Sequence, residues 1–235
     1  MLFKALLLAV GLIFFPPADY AKIFGSDYQD ALDYVRKHKV ELLSICRETQ
    51  ADSAELSAIL FPELIRYSML RDFFETQSLE LLYVNFGAET ADFSIGQFQM
   101  KPSFAEAVEA YLRERPTLAA PHGQLLEYAA EAGKERRKAR LKRLQEDAWQ
   151  LRYAAAFLAV AHDKFGDSLP ADPADRIRFL ATAYNHGFQS SAESIRPWIT
   201  APNFPYGPRY PGPQHSYADI SADFFQKYFP HLMTN

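Results

Sequence analysis

Apolar residues recur along most of this chain at steps of three and four, the spacing of helices with one buried face. Leu32, Val35, Leu42, Leu43 and Cys46 predict a helix over residues 28–48. A second is predicted over 53–67 with Ser53 as its N-cap, and a third over 104–112 with Ser103 in the same role. A short helix over 125–132 should stop at Gly133, and one long helix over 134–165 at Gly166. Pro173 suits the first turn of a helix running through Ile177, Phe179, Leu180 and Tyr184 to Gly187. Residues 217–228 form the last. Period-two alternation is faint and confined to 81–86 and 92–100. The pattern predicts a mainly α protein without internal repeats.

The N-terminal pattern differs. Lys4 precedes an uncharged apolar run from Ala5 to Phe15, eleven residues long and too short for a comfortable membrane span, which Pro16 and Pro17 then break. Residues 1–21 therefore read as a signal peptide, and 22–235 as one helical domain. Composition is globular, with 49% hydrophobic and 23% charged residues. Lys and Arg number 25 against 29 Asp and Glu, so no cationic footprint points to nucleic acid. The single cysteine, Cys46, excludes an intrachain disulfide and a multi-cysteine metal site. Ten glycines disfavour a nucleotide-binding fold built on glycine loops. An exported chain without disulfides fits a bacterial periplasm or cell envelope.

Two segments stand apart. Residues 134–143 hold seven basic side chains and one acid, which reads either as a solvated helix face or as steering toward an anionic polymer or membrane surface. Residues 197–215 hold six prolines and the rings of Trp198, Phe204, Tyr206 and Tyr210. That segment is a loop, either pinned by its rings or presenting them to stack on sugars.

Three places could carry chemistry. On a helix over 53–67, Leu56, Leu60, Leu64 and Tyr67 share one arc, and Glu63 points into its middle. A carboxylate there is costly unless paired or protonated. Desolvation would raise its pKa, as a general acid requires, while pairing with Arg66 or Arg71 would make it a structural salt bridge. Pro62 beside it removes a helix hydrogen bond. In Asp92-Phe93-Ser94-Ile95-Gly96-Gln97-Phe98-Gln99-Met100-Lys101-Pro102, Gly96 permits an unusual backbone angle or a close approach, and Gln99 offers a two-way hydrogen-bonding amide. Ala183-Tyr184-Asn185-His186-Gly187 ends a helix and could be capping or function.

In order and spacing these pieces resemble the lytic transglycosylases and goose-type lysozymes, which act on peptidoglycan. Gly96 to Pro102 is similar to the family's Gly-x-x-Gln-x-x-Pro, Ala183 to Gly187 to its Ala-Tyr-Asn-x-Gly, and residues 57–63 to the helix that ends in its catalytic Glu. The chain departs from the family in Leu64, where Ser usually follows the Glu, and in a longer gap of 33 positions from Glu63 to Gly96. That gap contains Glu75, Glu80 and Glu89 as rivals for the acid, Glu75 foremost.

The resemblance implies a lysozyme-like single helical domain with a small irregular or β-hairpin segment beside the cleft. It implies cleavage of the MurNAc–GlcNAc β-1,4 bond of peptidoglycan glycan strands by Glu63 alone, forming 1,6-anhydro ends. Ser94, Gln99, Tyr184 and Asn185 would bind substrate, with no metal or cofactor. Two alternatives stay open: a hydrolytic lysozyme in which Asp92 or Asp219 positions water, and a non-catalytic glycan-binding envelope protein of the same fold.

Overall fold

The computed structural model describes residues 18–70, 77–89, 92–129 and 132–233. It is mainly helical, with one two-stranded antiparallel sheet. The first helices are α1 (Tyr20–Phe24), α2 (Ser26–Thr49), α3 (Ser53–Leu70) and α4 (Gln77–Phe86). Next come α5 (Pro102–Arg113), α6 (Pro116–Ala119), α7 (Gly123–Leu126), α8 (Gly133–Leu144) and α9 (Asp147–Phe165). Then follow α10 (Pro173–His186), α11 (Ala192–Ile195), β1 (Pro202–Phe204), β2 (His215–Ser216), α12 (Tyr217–Lys227) and α13 (Phe229–Met233). Among the described residues no helix is long and apolar enough to cross a membrane.

The centre of the fold is α3, packed against α2, α9, α10 and α12. Every residue from 55 to 65 is buried. The helix therefore has no single apolar arc, and the expected contrast of faces is absent because neighbours cover it all round. Its N-cap is Asp52, whose side chain accepts from the amides of Ala54 and Glu55 at 2.7 and 3.0 Å, rather than Ser53. The helix continues through Pro62, and in the turn loosened by that proline the Tyr217 hydroxyl donates to the Ile59 carbonyl at 2.7 Å.

Other boundaries differ from the sequence pattern for local reasons. Residues 81–86 are helical, within α4. Helix α5 starts at Pro102, whose missing N–H costs nothing at a first turn, and Ser103 instead donates to Asp92. The short helix is α7, which stops at Leu126, and Gly133 opens α8 at φ +78° rather than ending a helix. The long helix is split into α8 and α9 at Gln145 and Glu146. The cause is Gln150, whose amide donates to the Leu144 carbonyl at 2.5 Å and so satisfies the end of α8.

Of the N-terminal segment 1–21, residues 1–17 lie outside the described residues. Asp19 accepts from the Lys22 amide at the start of α1, and Tyr20 is buried with its ring edge-on to His215. Glu75 and Arg71 also lie outside the described residues. Cys46 is buried, and burial pushes its thiol up to about 12.

The basic run divides by residue type: its lysines form a solvated face and its arginines turn toward neighbouring elements. Arg140 on α8 is buried and grips the buried Glu109 of α5 through Nε and Nη2 at 2.9 and 2.8 Å. Arg137 donates to the carbonyls of Val84 and Asn85, and Arg143 to those of Leu125 and Glu127. These arginines tie α8 to its neighbours. Lys134, Lys138 and Lys142 remain exposed.

Candidate functional site

One cleft of about 270 Å³ collects the predicted chemistry. Its lining includes Glu63 and Arg66 from α3, Asp92, Ser94, Gln99 and Lys101 from the loop before α5, and Tyr184, Asn185 and His186 from the end of α10. The expected acid Glu63 and the four expected substrate-binding residues, Ser94, Gln99, Tyr184 and Asn185, thus share one cavity. Beneath it Phe104, Phe157, Tyr184 and Phe188 pack ring against ring at centroid distances of 5.1 to 5.6 Å, giving the cleft a rigid floor.

Glu63 is 3% exposed. Both its oxygens accept from Arg66 Nη1, at 2.7 and 2.6 Å. Burial pushes its carboxyl above the ordinary range, and the Arg66 guanidinium offsets this only in part. Arg66 is itself fixed: Nε donates to the Pro205 carbonyl at 2.9 Å and Nη2 to Asn185 Oδ1 at 3.4 Å. The guanidinium lies over the rings of Phe204 and Tyr217, 5.0 and 5.7 Å from their centroids. Sequence reasoning offered acid or salt bridge for Glu63, and the residue has the attributes of both. The Asn185 carboxamide reaches it through Arg66, so Asn185 orients the pair.

The loop 95–100 closes with reciprocal backbone bonds between Ile95 and Met100, at 3.1 and 3.0 Å. Gln99 sits at φ +48°, and its side chain folds back to donate to the Gly96 carbonyl at 2.9 Å. Tyr184 braces the loop from below, its hydroxyl donating to the Phe98 carbonyl at 3.0 Å. That contact makes Tyr184 a support of the cleft wall. From α9, the fully buried Gln150 accepts from the Phe98 amide and donates to the Ile95 carbonyl, both at 3.0 Å. Gln150 was not found by sequence reasoning. Its signal was a polar residue at the i, i+3, i+4, i+7 spacing of Tyr153, Ala154 and Phe157.

Gly96 has both properties that its sequence context suggested. It adopts φ +65°, and a Cβ there would stand 2.0 Å from Gln150 Nε2 and 3.2 Å from the Leu144 carbonyl oxygen. The displaced Gln150 amide would strand buried groups of the loop and of α8. Gly96→Ala is therefore expected to cost roughly 2–4 kcal/mol, from left-handed strain plus lost buried hydrogen bonds. Denaturant unfolding measures this; a loss under about 0.5 kcal/mol would overturn the assignment.

Asp92 accepts from the Ser103 amide and hydroxyl at 3.1 and 2.8 Å and pairs with Lys101 at 3.5 Å at the cleft edge. Asp219 is not in the cleft lining; it pairs with Arg178 at 2.9 Å on the α10–α12 side. Of the two acids considered for positioning water, only Asp92 lines the cavity. Among the described residues no group of three or more His, Cys, Asp or Glu side chains is arranged to hold a metal ion. Comparison with protein-family models, with curated proteins and with solved structures finds no match to this chain.

Proposed function

We propose that this protein is an exported peptidoglycan lytic transglycosylase with a lysozyme-like helical domain, cleaving the MurNAc–GlcNAc β-1,4 bond with Glu63. The observation that carries the reading is convergence. Glu63, the Gly96–Gln99 loop and the Tyr184–Asn185 pair come from three distant stretches of chain and line one cleft. Nothing in their separate roles as core acid, turn and helix end requires that.

The chemistry balances with one carboxyl group. Protonated Glu63 gives its proton to the glycosidic oxygen as the C1–oxygen bond breaks. The muramic N-acetyl oxygen shares the positive charge at C1. The Glu63 carboxylate then takes the proton of the 6-hydroxyl as that oxygen closes on C1. The acid is restored and no water is consumed. Burial supports the protonated form at the start. Arg66, tied to Pro205 and Asn185, stabilises the carboxylate formed between the two steps. Gln99 and Ser94 offer the strand polar groups along the loop wall.

The Arg66 pair is also what a purely binding protein would show, since it satisfies Glu63 without catalysis. In a hydrolase Asp92 at the cleft edge would orient water, with both its oxygens already serving Ser103 and Lys101. Product analysis on purified sacculi separates the three. Release of 1,6-anhydromuropeptides is expected. Soluble products with reducing ends alone would establish the hydrolase, and sacculus binding without release the binding protein.

A further inference from the structure

Trp198 follows α11 in a short helical turn and is 40% exposed. Its indole stacks on the imidazole of His186, with centroids 4.3 Å apart and planes within 24°. His186 lines the cleft and directly follows Asn185, the partner of Arg66. The stack therefore meets the cavity that holds Glu63 through His186, with Trp198 just outside the lining. Gln189 stands in the same lining and is also exposed. A flat apolar ring at the rim of a cleft that also presents a side-chain amide matches a pyranose, whose axial C–H bonds form an apolar face and whose hydroxyls lie at its edge.

We propose that the His186–Trp198 stack is a pyranose-binding subsite flanking the cleft, on which one N-acetylhexosamine ring of a β-1,4 glycan lies face to face. The proposal rests on the glycan reading of the cleft, because that reading names the sugar. His186 stacks on one face of the indole, so the platform is formed before ligand arrives.

Tetra-N-acetylchitotetraose titrated into the full chain tests it. The only other tryptophan, Trp149, lies under Arg143 in the clamp of α8, and Trp149→Phe leaves Trp198 as sole reporter while keeping a ring there. A saturable change in Trp198 fluorescence is expected. Trp198→Ala should weaken binding about tenfold, and Trp198→Phe should restore most of it. Calorimetric titration of the wild type against Trp198→Ala gives the same comparison without Trp149→Phe. Unchanged affinity in Trp198→Ala, or no fluorescence change at saturation, overturns the subsite. Binding that depends on Trp198 in a protein that cleaves no sacculi would remove the catalytic reading and leave the subsite. Cleavage with affinity independent of Trp198 would do the reverse.

Discussion

Glu63→Gln should lower release of anhydromuropeptides by about 10³-fold, within the 10²–10⁴ range that a single general acid–base group supplies. The amide has the carboxyl's shape but neither gives up nor regains a proton at neutral pH. Its oxygen still accepts from Arg66, which also keeps its bonds to Pro205 and Asn185. The variant should therefore fold and bind tetra-N-acetylchitotetraose close to wild-type affinity, with the loss falling on turnover. Because burial holds the Glu63 carboxyl above its ordinary range, the alkaline limb of kcat/KM should lie above the value of about 4.3 of a free Glu side chain. Glu75→Gln serves as the control and should retain activity. Full activity in Glu63→Gln with loss in Glu75→Gln would move the acid to the segment before α4.

The parts of this molecule legible from sequence are those written in local pattern. Helix periodicity marked the bodies of α2, α3, α5, α10 and α12, and the Gly96 and Tyr184–Asn185 motifs marked two walls of the cleft. What escaped is tertiary. The break between α8 and α9 has no Gly or Pro, because a side chain six residues downstream of Leu144 makes it. Helix α3 was read as having one apolar arc, since a single sequence cannot tell that four helices surround it. The burial of Glu63 came out correctly from that incomplete premise. Gln150 and Glu109 obey the same logic that found Glu63, polar groups at apolar helical positions, and the inference simply was not extended to them.

Glu109 carries the second large effect. It is fully buried and accepts from Arg140 twice, from Arg113 at 2.9 Å, and from the hydroxyls of Tyr128 and Tyr153 at 2.5 and 2.7 Å. Arg140 in turn donates to Tyr83 and Glu106, each at 2.9 Å. Glu109→Gln leaves the buried Arg140 with the partly exposed Glu106 as its remaining counter-charge and should cost roughly 3–5 kcal/mol by denaturant unfolding. Adding Arg140→Met should recover part of that loss, because the under-compensated charge goes with it; a purely additive double variant would refute the pairing. The pH dependence has a definite sign. Burial alone would raise the Glu109 carboxyl, but Arg140 and the two tyrosines outweigh it and hold it below the ordinary range. A depressed folded value means the contribution is complete above the unfolded value of about 4.3 and is lost as pH falls through the folded one. The gap between wild type and Glu109→Gln should therefore narrow in acid. The same carboxylate accounts for part of the basic run: guanidiniums crowded on α8 would repel one another on a bare face, and here they bond a buried acid and open carbonyls. The arginines of residues 134–143 are thus a packing device that fastens α8 beside the cleft loop, while the lysines face solvent.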